Sequence, residues 1–128
     1  MNVLLDTHAF LWWIADDTRL SKHARTLIGD SGTSARFSVV SAWEIAIKVS
    51  LGRLRTPADL AAFLLEQIAM NRFEVLQIGL SHALAVHRLP HHHRDPFDRM
   101  LAAQAKIERL PLVSGDGRFD AYDIERIW

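Results

Sequence analysis

Met1-Asn2-Val3-Leu4-Leu5-Asp6-Thr7-His8-Ala9-Phe10-Leu11-Trp12-Trp13 opens the chain, and its reading decides the fold. Asn2–Asp6 reads as a buried strand, a short apolar run that stops at a carboxylate. Thr7 is placed to cap a helix over His8–Ala15. A strand that ends in an acid and feeds straight into a helix is the first half of a strand–helix–strand unit. In a parallel sheet, ligands bind outside the carboxyl ends of the strands.

The pattern continues outward. Ser21 starts a helix to about Gly29, and GDSGTS reads as a loop. Arg36–Val40 is the second predicted strand. Ser41 then caps a helix to about Leu51, closed by Gly52. Thr56-Pro57 is an N-cap and first-turn pair opening a helix to about Asn71. Phe73–Ile78 is the third strand, and Ser81 caps a helix to about Leu89. Asp95-Pro96 opens a helix to about Arg109. Leu112–Ser114 is the fourth strand and Glu125–Trp128 a short fifth. Strands alternating with helices predict an α/β chain, residues 1–128 as one domain, with a central parallel sheet of four to five strands flanked by helices.

Composition narrows the function classes. The chain has 128 residues, 49% of them hydrophobic, enough for a core and too many for disorder. It has no cysteine, which excludes disulfides, thiolate zinc sites and Cys nucleophiles and fits a cytoplasmic location. No stretch is apolar enough to span a membrane, and the N-terminus lacks a basic n-region, so no signal peptide is expected. The formal net charge is zero, which argues against a non-specific nucleic-acid coat protein.

Four acids fall at the junctions of these elements: Asp6, Glu44, Asp98 and Asp116. Each has a local explanation. Asp6 can turn the chain. Ser41-x-x-Glu44 matches a capping box. Asp98 suits a first helical turn beside the N-cap Asp95. Asp116 sits in the turn sequence SGDGR. Together they place four carboxylates at one sheet edge, a costly arrangement unless a cation fills it. The usual filler of an all-oxygen acidic site is Mg²⁺ or Mn²⁺. Thr7 and Ser114 flank the strand-end acids as hydroxyls able to orient them. A dehalogenase-type phosphatase wants a second acid two residues after Asp6, where His8 stands. A binding module whose acids receive a partner's arginines is the non-enzymatic alternative.

Four stretches carry a family resemblance: LLDTHAFLWW (4–13), SAWEIAIKVSLGRL (41–54), LPHHHRDPFDRMLAAQA (89–105) and PLVSGDGRFDAY (111–122). In this order they resemble PIN-domain ribonucleases, in particular the VapC-like toxins of toxin–antitoxin pairs. The resemblance implies a PIN-like fold and a Mg²⁺- or Mn²⁺-dependent endoribonuclease. Asp6, Glu44, Asp98 and Asp116 would be its catalytic metal ligands, with Asp95 as a nearby fifth acid. It also implies an antitoxin partner and a homodimer. The SGDG turn departs from bulkier relatives and is expected to loosen Asp116.

The remaining features are open to two readings. His91, His92 and His93 form a run readable as a zinc site or as a mobile loop binding RNA phosphate. Arg94 and Arg99 join His93 as candidate phosphate contacts. Lys48 lies four residues after Glu44, the spacing of a helical ion pair. Trp12 and Trp13 are adjacent, so one is assigned to the core and the other to an interface. The helix containing ADLAAFLLEQIAM is broad enough in its apolar face for core or partner.

Overall fold

The computed structural model describes residues 1–57 and 59–128. Strand β1 (Asn2–Leu5) is buried on both sides. Val3 and Leu5 join one apolar cluster with Phe10, Phe37, Ile45 and Leu64. Leu4, between them, joins the other with Leu89, Leu101, Leu112 and Phe119. This alternation is the two-residue period of a strand, with a helical layer on each face. With β2 (Ser34–Ser38), β3 (Glu74–Leu76), β4 (Leu112–Val113) and β5 (Arg126–Ile127) it forms a sheet of order β3-β2-β1-β4-β5. Every neighbouring pair is parallel. The expected α/β architecture with a central parallel sheet is present.

Residues of α1 (Thr7–Ile14), α2 (Lys22–Gly29), α3 (Val39–Ser50) and α4 (Leu60–Met70) cover the first face. Residues of α5 (Leu80–Ala85), α6 (Pro96–Glu108) and the 3₁₀ segment Gly117–Tyr122 cover the second. β1 has β2 on one side and β4 on the other, so the crevice beyond its carboxyl end is the switch point of the sheet.

Several boundaries differ from the sequence reading, each for a definable reason. Asp6, not Thr7, caps α1, its Oδ1 accepting from Ala9 N at 2.7 Å. That frees the Thr7 hydroxyl to reach across to α3. β2 ends at Ser38, and Ser38 rather than Ser41 caps α3 by accepting from Val40 N at 3.1 Å. Glu44 therefore lies beyond the first turn, and the Ser41–Glu44 capping box does not form. Asp59, not Thr56-Pro57, caps α4, accepting from Ala62 N. Ala58, inside the expected start of that helix, lies outside the described residues. Gly79, not Ser81, precedes α5, and its N–H donates to His82 Nδ1 at 2.9 Å. Ser21 and Asp95-Pro96 open their helices as expected. Gly52 closes α3 at φ +71°, a backbone conformation that glycine adopts without a Cβ clash.

Candidate metal centre

The four acids come from four segments and meet beyond the carboxyl ends of β1 and β4. Asp6 follows β1 directly and is buried. Glu44 is buried on α3, where Thr7 Oγ1 donates to its Oε1 at 2.7 Å and Lys48 Nζ bonds its Oε2 at 2.6 Å. Thr7 Oγ1 also lies 2.9 Å from Ser41 Oγ, so two hydroxyls line one side of the carboxylate. Asp98 stands in the first turn of α6, with Asp95 capping that helix by accepting from Phe97 N and Asp98 N. Asp116 caps the 3₁₀ segment after β4, and its own N–H donates to Ser114 Oγ at 3.0 Å.

Charge shows the convergence. The Asp98 carboxyl is pushed up to about 7, first by burial and then by the negative charges of Asp95, Glu44, Asp116 and Asp6. That sum requires all four acids to lie near it. Asp6 is also raised, chiefly by burial; the Ser114 hydroxyl, the Ala9 amide and His8 oppose the shift, and Asp116 adds to it. Asp116 moves the other way. The Arg118 guanidinium holds it well below the usual carboxylate range, with His93 assisting. Arg118 clasps both carboxylate oxygens, at 3.0 Å from Nε to Oδ1 and 2.8 Å from Nη2 to Oδ2. At the SGDG turn, where a looser acid was expected, Asp116 bonds Arg118, His93 and the Ser114 hydroxyl.

One ligand atom each from His93, Asp98 and Asp116 lies within 4.8 Å of the others; Asp6 and Glu44 stand outside this group. His93 is buried, with Nε2 3.0 Å from Asp116 Oδ2 and Nδ1 2.9 Å from the Tyr122 hydroxyl. Since Asp116 is held ionised, Nε2 donates to it, while Nδ1 pairs with the Tyr122 hydroxyl. His93 is thus an orienting partner of Asp116 and not a mobile phosphate contact. Arg99 is corrected as well. Its buried guanidinium donates to the carbonyls of Pro90, Val86 and Leu89, so three of its five N–H donors tie the 86–90 turn to α6. Arg94 is exposed at the rim, beside His91 and Pro96.

Three partners were missed in the sequence. Arg118 had a signal, because Asp-x-Arg recurs at 17–19, where Arg19 clasps Asp17 in the same way. Tyr122 and Gln104 had none. The Gln104 amide, fully buried on α6, accepts from Ser38 Oγ and donates to Gln77 O at 3.2 Å, locking α6 to the ends of β2 and β3. The tryptophans divide differently from the expectation, both being half-buried. Trp13 Nε1 donates to Asn71 Oδ1 at 2.8 Å, whereas Trp12 faces the mouth of the acidic crevice beside Trp128.

A family model described as "PIN domain" matches residues 3–125. No curated protein matches. Among solved structures, VapBC2 from Rickettsia felis bound to a promoter DNA fragment aligns with TM-score 0.72 at 13% identity, covering 99% of this chain and 98% of that one. DNA-bound VapBC from Salmonella typhimurium aligns with TM-score 0.72 at 17% identity, covering 99% and 97%. VapBC-5 from Mycobacterium tuberculosis, a member of the VapBC family of toxin–antitoxin systems, aligns with TM-score 0.61 at 23% identity, covering 98% and 97%.

Proposed function

The chain belongs to the PIN-domain family, and from that premise we propose that it is a Mg²⁺- or Mn²⁺-dependent endoribonuclease, the toxin of a toxin–antitoxin pair. The observation that carries this reading is Asp98, driven towards neutrality first by burial and then by the negative charges of Asp95, Glu44, Asp116 and Asp6, a crowding that a divalent cation would relieve. The surplus has a size. Glu44 is offset by Lys48 and Asp116 by Arg118, so Asp6, Asp95 and Asp98 remain without an ion-pair partner. A dication offsets most of that charge, and carboxylate oxygens are the donors that hard cations prefer.

Asp6, Glu44, Asp98 and Asp116 would hold that cation. When bound, such a cation would supply Lewis acidity for the phosphodiester and for an attacking water. The chain's own residues prepare the site. Thr7 fixes one oxygen of Glu44, His93 and Ser114 orient Asp116, and Asp98 gives up its proton near neutral pH. Asp95 caps α6 and so aims Asp98, while Arg94 at the rim is positioned for an RNA phosphate.

Cleavage of a synthetic RNA in Mn²⁺, with products sequenced, tests the reading. Asp6→Asn and Asp98→Asn should each lower the rate by at least a hundredfold; wild-type-like cleavage by either would falsify the assignment. The VapBC neighbours support a cognate antitoxin partner. A homodimer fits the exposed Leu80, Leu84 and Ile107 on α5 and α6; light scattering at micromolar concentration checks it. The clasp of Asp116 by Arg118 favours one alternative, a non-enzymatic pocket that receives arginines. That reading predicts no response to Mn²⁺.

A further inference from the structure

Next to the acids lies a cavity of about 420 Å³ lined by Asp6, His8, Trp12, Arg19, Gly115, Asp116 and Trp128. Its walls are aromatic. His8 stacks on Trp12 with ring centroids 5.3 Å apart and planes 24° from parallel. Trp128 packs against Trp12 with centroids 5.9 Å apart and planes tilted by 58°. The guanidinium of Arg19 sits 5.1 Å from the Trp12 ring and is held there by Asp17. Gly115 is what admits Trp128, because a Cβ at 115 would stand 3.0 Å from the indole. A second cavity shares His8, Trp12 and Arg19 and runs on to Lys48, Arg53 and Arg55. The carboxylates, the aromatic walls and a row of cations therefore lie in sequence along one surface.

We propose that the Trp12–Trp128 cavity is a slot for one unstacked nucleobase, next to the phosphate presented to Asp6 and Asp116. The inference rests on the ribonuclease reading and adds a binding element to it. The chemistry is specific. Flat π-faces bind bases of any sequence by stacking, and a cation over the indole strengthens its hold on a polar ring. A carboxylate-rich centre alone would repel RNA, so base contacts beside it supply part of the affinity that phosphate contacts cannot. Arg53 and Arg55 then lie where the next phosphates of an extended strand would run. A base paired in a duplex cannot enter such a slot, so the RNA presents it from a loop, bulge or single strand.

Anisotropy measurements in Ca²⁺ would test the slot, using a single-stranded RNA of roughly 12 nucleotides and the same backbone made abasic. Wild-type protein should bind the base-bearing strand about tenfold more tightly than the abasic one. Trp128→Leu should remove most of that preference, and Trp128→Tyr, which keeps a ring, should retain it. Equal affinity for both strands in wild type, or a preference untouched by both Trp128→Leu and Trp12→Leu in folded protein, overturns the slot. The two readings fail separately. Base-dependent binding without cleavage in Mn²⁺ supports the slot and defeats the nuclease, whereas cleavage without base-dependent binding defeats the slot alone.

Discussion

At the scale of single residues, Asp98 sets the pH behaviour. Its folded pKa of about 7 lies above the ordinary carboxylate value of 3.8. Between those values the folded carboxyl keeps a proton that the unfolded one has lost. Metal-free protein therefore loses stability as pH rises from about 4 to about 7, and Asp98 adds no further change above that. Urea melts of wild type and Asp98→Asn at both ends of this window should show the loss in wild type and a smaller one in the variant. Metal binding runs opposite in sign, since the cation displaces that proton. Mn²⁺ affinity, read by calorimetry, should climb about tenfold per pH unit below 7 and level off above it. Arg118 acts as a built-in competitor for Asp116, so Arg118→Ala should tighten Mn²⁺ binding a few-fold. Weaker binding in that variant would mean that the guanidinium orients Asp116 for the metal. The acids themselves were legible in the sequence because each falls where one element gives way to the next, inside a stretch that resembles the family. Their partners were not, because Thr7–Glu44 and His93–Asp116 are separated by 37 and 23 positions and no local pattern records such distances.

At the scale of elements, the sheet and helices were legible and their caps only partly so. The apolar run Val3–Leu5 and the Asp95-Pro96 pair are local signals with local causes, and both elements formed where they pointed. Ser38 and Ser41 are both plausible caps by local rules. The choice between them is tertiary: Ser38 aligns with Leu76 where β2 ends, and its hydroxyl meets the buried Gln104. Moving the cap three residues upstream removed the capping-box account of Glu44 and left its burial to be explained by the site. Gln104 is thus the element-level hinge pin, tying the helix that carries Asp98 to two strand ends. Gln104→Leu, close in volume, would leave Ser38 Oγ and Gln77 O without their buried partner. It should cost about 1–3 kcal/mol in urea unfolding. It should also weaken Mn²⁺ binding, because α6 loses its fixed register. Unchanged stability would mean that α6 is held by its apolar face alone.

At the scale of the whole molecule, the metal question becomes a folding question. The strands deliver Asp6 and Asp116, α3 delivers Glu44 and α6 delivers Asp98, so only the assembled sheet creates the site, and the unfolded chain has no equivalent. A cation that binds only the folded form stabilises it by about 2.7 kcal/mol at a hundred times its dissociation constant. For a chain of this length that is a rise in melting temperature of roughly 10 °C. The rise should be large at pH 8, where Asp98 is ionised, and much smaller at pH 5.5, where a proton must first leave. It should shrink in Asp6→Asn and Asp98→Asn, each of which removes a charge that Lys48 and Arg118 leave unbalanced. Na⁺ at equal ionic strength separates site binding from screening, since a screened surface responds to either salt. A melting temperature indifferent to Mn²⁺ at pH 8 would leave four carboxylates crowded for another purpose, and the arginine-receiving pocket would then be the better account. A Mn²⁺ rise that vanishes with either unbalanced acid ties the surplus charge to one bound cation.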